Sequence, residues 1–95
     1  MSWRVTAYCG DSCCNGKWAW QTASGHRLSP SDSYQVCAAP PNIPFGTIVH
    51  VSGQWNGSVR VVDRGGAIKG NRLDIFVHPH SAANQFGVKM CNVNW

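Results

Sequence analysis

Glycine and proline divide this chain into short apolar runs, and their spacing suits strands better than long helices. Six runs alternate or concentrate apolar residues as strands do, and they cover residues 3–8, 34–38, 47–51, 58–63, 73–77 and 88–93. One short helix is predicted from Pro79 to about Phe86, because proline suits a first helical position and Gly87 suits the residue after a last turn. Six strands and one helix in 95 residues predict a small all-β closed barrel, since closure removes exposed strand edges.

Charge and hydropathy narrow the classes of partner. Eight Lys and Arg against four Asp and no Glu give a net charge of +4, which favours an anionic partner: nucleic acid, lipid or cell-wall polymer. No recognised nucleic-acid-binding motif accompanies the charge, so nucleic acid is not expected. No apolar run reaches the roughly 18 residues of a bilayer span, so no integral membrane segment is expected. Without internal repeats or linkers, residues 1–95 are predicted to form one domain, and we expect a monomer.

Five cysteines in a small chain indicate disulfides and an oxidising compartment. A zinc site is the competing interpretation, but Cys9-x3-Cys13-Cys14 matches no common zinc spacing, so neither a metal nor another cofactor is expected. Cys37 and Cys91 lie in predicted strands that would be neighbours in a barrel, and we expect them to pair. The other three cysteines then share the first loop. No apolar leader precedes the first strand, so the chain is expected to be secreted after trimming or carried by a phage lysin.

Two of the four aspartates lie in the most informative segment, residues 61–76. Asp63 ends one apolar strand, a glycine-rich loop follows, and Asp74 stands inside the next strand, where aspartate is unfavourable. Two carboxylates on neighbouring strand ends make a plausible acid/base site. A structural role is the alternative, with Asp63 capping a turn and Asp74 pairing with Arg60 or Arg72. Residue spacing alone leaves both the acid/base role and the structural role open, and it slightly favours the structural role.

The same segment resembles the signature of the 3D domain, named for three aspartates, and the catalytic segment of MltA-type lytic transglycosylases. The resemblance lies in the string Asp63-x-Gly65-Gly66-Ala67-Ile68-Lys69-Gly70-Asn71-Arg72-x-Asp74. Further blocks agree in order along the chain, at residues 6–9, 22–25, 40–47 and 82–87. The resemblance therefore extends over nearly the whole sequence.

This resemblance implies a six-stranded double-psi β-barrel whose groove binds peptidoglycan glycan strands. It also implies a lytic transglycosylase that cleaves the bond between N-acetylmuramic acid and N-acetylglucosamine and leaves a 1,6-anhydro product. Asp74 corresponds to the catalytic acid and base, and Asp63 to the residue that assists it. The expected location is extracellular, in the cell wall or in the periplasm. Substrate-binding positions implied by the match are Thr22, Ser24, Gly25, Gly65, Gly66 and Lys69.

Each of these binding positions also has a plain structural explanation. Thr22 and Ser24 can stabilise a turn, Lys69 can be a solvated loop charge, and the glycines can serve the backbone alone. The sequence departs from the family pattern at one place, because Ala39 stands where an aspartate usually precedes the proline. Two of the three aspartates remain, which keeps a second function open: a barrel that binds cell-wall glycan without cleaving it, as expansin-like relatives do.

Overall fold

Six strands close into a barrel in the computed structural model, which describes residues 2–10, 20–64 and 70–95. The strands are β1 (Ser2–Tyr8), β2 (Val36–Ala38), β3 (Ile48–Gly53), β4 (Gly57–Asp63), β5 (Arg72–Phe76) and β6 (Lys89–Asn94). One α-helix, α1 (His80–Phe86), follows β5 in these ranges, and a 3₁₀ turn at Pro30–Asp32 precedes β2. The predicted all-β barrel of six strands and a short helix is confirmed.

Strand order around the barrel is β1-β5-β2-β4-β3-β6. Two pairs, β1 with β5 and β2 with β4, are parallel, and the other four pairs are antiparallel. The short strand β2 therefore separates β4 from β5. The expectation that Asp63 and Asp74 stand on neighbouring strands is wrong, because Ala38 of β2 lies opposite both of them in register.

Apolar side chains alternate between the barrel interior and its outer face. On β5, Leu73 and Ile75 belong to the interior core, whereas Asp74 and Phe76 project from the other side. A second apolar cluster forms on this outer face and is packed against Trp20; it contains Tyr8, Leu28, Val36, Ala38, Val62 and Phe76. We call it the outer cluster. It anchors the segment 20–34 beside the two aspartates, with each fully buried large side chain contributing about 1.5–3 kcal/mol.

The helix begins one residue later than the sequence predicts. Pro79 is its N-cap in an extended conformation, and His80 is the first helical residue. Gly87 ends the helix with a φ of 67°, a left-handed backbone that glycine adopts without steric cost.

The expected pairing of Cys37 with Cys91 is wrong. Both thiols are free and buried. They do not face each other as neighbours, because β2, which carries Cys37, lies between β4 and β5, whereas β6, which carries Cys91, lies between β1 and β3. Cys9 is disulfide-bonded. Cys13 and Cys14 lie outside the described residues, so the arrangement within the first loop stays a prediction.

We expect iodoacetamide without reductant to spare Cys37 and Cys91 in the folded protein and to label both after unfolding. Burial, with a smaller contribution from the charge of Asp74, raises the pKa of Cys37 to about 12, so little reactive thiolate forms. Peptide mapping by mass spectrometry would measure the labelling. A crosslinked peptide joining Cys37 to Cys91 would contradict this arrangement.

Candidate functional site

Asp74 occupies the middle of β5, between Thr6 of β1 and Ala38 of β2. Thr6 and Asp74 are in register, and the Thr6 hydroxyl donates a hydrogen bond to Asp74 Oδ1 over 3.1 Å. Burial raises the pKa of Asp74 from 3.8 to about 6, and the charge of Asp63 adds a smaller upward effect. The bond from Thr6 and the charge of Arg72 act in the opposite direction. Asp74 thus retains its proton to a higher pH than an exposed aspartate.

Asp63 ends β4 and is held by donors on both carboxylate oxygens. Its Oδ1 accepts hydrogen bonds from the backbone amides of Ala23, at 2.9 Å, and Arg64, at 2.8 Å. Its Oδ2 lies 3.5 Å from the hydroxyl of Tyr8, which donates to it. Asp63 therefore joins three parts of the chain: β1, the end of β4 and the segment 20–34.

Tyr8 lies within electrostatic range of both aspartates. Burial, followed by the charges of Asp63 and Asp74, raises the pKa of the Tyr8 phenol far above its usual value, so the hydroxyl remains a donor at neutral pH. Tyr8 and Thr6 are two residues apart on β1 and face the same side as Phe76 and Asp74, their register partners. We call Thr6, Tyr8, Asp63 and Asp74 the acid cluster.

Sequence reasoning assigned no role to Thr6 or Tyr8. Both lie in one of the blocks that resemble the 3D domain, and this was a signal that could have found them. The missing information was the parallel pairing of β1 with β5, which connects residues 68 positions apart.

The predicted binding positions in the segment 20–34 form a turn beside Asp63. The Thr22 hydroxyl donates to the carbonyl of His26 at 2.6 Å, and the Gly25 amide donates to the carbonyl of Thr22 at 3.1 Å. Gly25 has a φ of 88°, and the Ser24 amide is bonded to the carbonyl of Val62. Thr22 and Ser24 both bond within the turn, as the structural alternative expects, since Ser24 Oγ accepts a hydrogen bond from the His26 amide at 3.4 Å. Ser24 is also exposed near the acid cluster. Gly65, Gly66 and Lys69 lie outside the described residues.

Ala39 fills the position at which the resemblance leads one to expect a third aspartate. It is fully buried in the interior core, and its amide donates to the backbone carbonyl of Asp63 at 3.2 Å. A carboxylate at this buried position would lose its contact with water, which is unfavourable. The apolar surroundings of residue 39 therefore suit the alanine found there. Within the described ranges, Asp63 and Asp74 are the two carboxyl groups of this site.

No three His, Cys, Asp or Glu side chains in the described ranges are grouped so as to hold a metal ion. No helix in the same ranges combines the length and hydropathy needed to cross a bilayer.

Comparison with known proteins gives consistent matches. The 3D domain family matches residues 35–95. Cell wall-binding protein YocH of Bacillus subtilis is 44% identical over 73 residues, which are 76% of this chain and 25% of that protein. The probable endolytic peptidoglycan transglycosylase RlpA of Aquifex aeolicus is 38% identical over 71 residues, or 72% of this chain and 29% of that protein.

The crystal structure of MltA from E. coli has a similar fold, with a TM-score of 0.62 at 24% identity over 77% of this chain and 26% of that one. The chain spans about a quarter of the length of the curated relatives named above. The region matched by the family includes β2 to β6 and both aspartates of the acid cluster. On this evidence, the chain belongs to the 3D domain family.

Proposed function

We propose that this domain cleaves peptidoglycan glycan strands as a lytic transglycosylase, with Asp74 as both acid and base. The observation that carries the proposal is the environment of Asp74: a partly buried carboxyl group with a pKa raised to about 6, hydrogen-bonded to Thr6 and influenced by Asp63. An acid that donates a proton near neutral pH needs such a raised pKa. The similarity to RlpA, named as a probable endolytic peptidoglycan transglycosylase, supports the choice of substrate.

The reaction needs one carboxyl group and no water. Protonated Asp74 donates its proton to the glycosidic oxygen between N-acetylmuramic acid and N-acetylglucosamine, and the bond from that oxygen to C1 of the muramic acid breaks. The Asp74 carboxylate then accepts the proton of the 6-hydroxyl group of the same muramic acid. The freed O6 forms a bond to C1 and closes the 1,6-anhydro ring. A hydrolase would need a second carboxylate as base or nucleophile, whereas this route does not.

The remaining members of the acid cluster orient Asp74 and bias its protonation. Thr6 engages Oδ1, so Oδ2 would be the oxygen that donates the proton to the leaving group. The charge of Asp63 favours the protonated form of Asp74. The Asp63 carboxylate also holds the turn at residues 22–25 through the amide of Ala23, which positions Ser24 to hydrogen-bond sugar hydroxyl or N-acetyl groups. Gly65, Gly66 and Lys69 would complete this binding surface.

A binding module without catalysis is the second candidate, and Ala39 is the observation that favours it, together with the similarity to the cell wall-binding protein YocH. Either function places the protein in the cell wall, the extracellular space or the periplasm. Incubation with purified peptidoglycan, followed by mass spectrometry, separates the two. Anhydro-muramyl products support the transglycosylase. Binding to peptidoglycan without such products would support the module.

The cleavage rate is expected to fall as the pH rises through about 6, because Asp74 must be protonated to donate. Thr6→Val should move this limb to higher pH, since it removes a hydrogen bond that favours the charged carboxylate. Thr6→Ser keeps the donor and is the matched control. Rates measured on soluble glycan strands from pH 4 to 9 provide the check. A Thr6→Val limb that stays in place or moves to lower pH would contradict the assignment.

A further inference from the structure

A second feature of the barrel lies away from the acid cluster: a cleft of about 340 Å³ with aromatic walls. We call it the aromatic cleft, and it is lined by Tyr34, Trp55, Ala82, Gln85, Phe86 and Lys89. Trp55 lies two residues before the first residue of β4, whereas Asp63 is the last residue of that strand. Seven strand residues span about 20 Å, so the two features lie toward opposite ends of β4.

The aromatic rings of the cleft pack against one another. Tyr34 and Trp55 are nearly parallel, with centroids 6.1 Å apart and an interplanar angle of 23°. Phe86 meets Trp55 edge-on, at 6.2 Å and 65°. Tyr34 keeps 39% of its surface exposed, a large fraction for an aromatic residue in a small domain. The cleft therefore offers a ligand the exposed part of Tyr34 beside a stacked pair of rings.

Backbone features fix the positions of these rings before any ligand binds. Tyr34 has a φ of 64°, which is uncommon for an aromatic residue, and its amide is bonded to the carbonyl of Phe76 at 2.8 Å. Trp55 lies against Gly57, where an added Cβ would come within 2.5 Å of the indole ring. A preorganised aromatic surface loses little entropy on binding, which is the property that a ligand site needs.

The polar groups of the aromatic cleft indicate which ligand it suits. Lys89 Nζ lies 5.0 Å from the centroid of the Phe86 ring, so a positive charge stands at the edge of the cleft. Gln85 adds an amide that can both donate and accept hydrogen bonds. Aromatic faces pack against the C–H faces of pyranose rings, while the ammonium group attracts a carboxylate on the same ligand.

We propose that the aromatic cleft binds a pyranose unit of an anionic glycan, with the carboxylate of that unit directed toward Lys89. This inference rests on the proposed function only for the choice of polymer. The cleft then holds the glycan at a second place, separated from Asp63 by the length of β4, which would keep the enzyme on an insoluble substrate between cleavages.

The test uses the Asp74→Asn variant, which prevents cleavage during titration, and peptide-free glycan strands prepared from peptidoglycan. Trp55→Ala and Tyr34→Ala in this background are expected to weaken binding about tenfold, as hot-spot aromatic residues do. Trp95→Ala is the matched control, because Trp95 is 54% exposed and packs edge-on against Trp3, away from the cleft. Calorimetry measures affinity, and the Trp55 indole resonance in NMR reports contact with the ligand.

The role of the Lys89 charge is tested by comparing an anionic ligand with a neutral one. Lys89→Gln should weaken binding of the anionic strands at least threefold and leave neutral N-acetylglucosamine oligomers unaffected. Equal loss for both ligands would overturn the placement of the carboxylate. Unchanged affinity of both Tyr34→Ala and Trp55→Ala, with an unmoved indole resonance, would overturn the site itself. Lost affinity in these variants, together with no anhydro products from the protein that retains Asp74, would keep the cleft and reject the transglycosylase.

Discussion

Asp74→Asn is expected to lower the yield of anhydro-muramyl products by about 10³-fold while the barrel remains folded. Asparagine keeps the shape of the side chain, and its carbonyl oxygen can still accept the hydrogen bond from Thr6. What it lacks is a proton to donate to the leaving oxygen and a carboxylate to take one back. Mass spectrometry of digested peptidoglycan measures the yield.

Stability of the same variant distinguishes a chemical defect from a folding defect. The folded pKa of Asp74 is raised from 3.8 to about 6, so the folded state binds more protons than the unfolded state between these values. The contribution of Asp74 to stability is therefore full below about pH 4 and is lost as the pH rises through 6, by at most about 3 kcal/mol. Asparagine does not titrate, so at pH 7.5 Asp74→Asn should be at least as stable as wild type in urea denaturation.

Asp32→Asn is the matched control for this experiment. Asp32 is 3.0 Å from His26 Nε2 and caps the turn at Pro30–Asp32, but it is not a member of the acid cluster. Its replacement is expected to change stability slightly and product yield by less than about threefold. Equal yields from Asp74→Asn and wild type would remove Asp74 from the mechanism. A yield lost equally in Asp32→Asn would indicate that the fold, rather than the acid, is affected.

Local sequence signals predicted the elements of this fold well, because strand alternation and turn residues act within a few positions. The strand run at residues 58–63 matches β4, which begins one residue earlier. Asp74 stood out for a similarly local reason: an aspartate between apolar neighbours is costly unless its environment makes use of it. The 3₁₀ turn at Pro30–Asp32 was missed within a loop rich in serine.

Long-range pairing was the part that could not be predicted from local signals. Insertion of β2 between β4 and β5 separates strands that a simple succession would place side by side, and this one fact overturned two expectations. It moved Cys37 away from Cys91, and it placed Ala38 between the two aspartates. The roles of Thr6 and Tyr8 follow from the same kind of information, since parallel strands of a barrel meet only through distant connections.

Phe76→Ala is expected to cost about 3–5 kcal/mol of unfolding free energy, which would be a large share of the total for a domain of this size. Phe76 is fully buried in the outer cluster, with its ring centroid 5.8 Å from that of Tyr8 and 5.9 Å from that of Trp20. Removing the ring leaves a cavity beneath the segment 20–34 and loosens the contact that positions Tyr8 near Asp63. Urea denaturation followed by circular dichroism measures the loss.

Phe45→Ala serves as the control for this loss, because Phe45 is 45% exposed and its ring contacts the Arg64 guanidinium at 4.2 Å rather than the core. It should cost less than about 1 kcal/mol. The two variants should also differ in cleavage activity when measured below their unfolding transitions. Phe76→Ala should lose activity because the segment 20–34 is displaced, whereas Phe45→Ala should retain it. If both variants lose similar stability, the packing of Phe76 is not what holds the segment 20–34 against the barrel, and its hydrogen bonds, such as that from the Ala23 amide to Asp63, must do so.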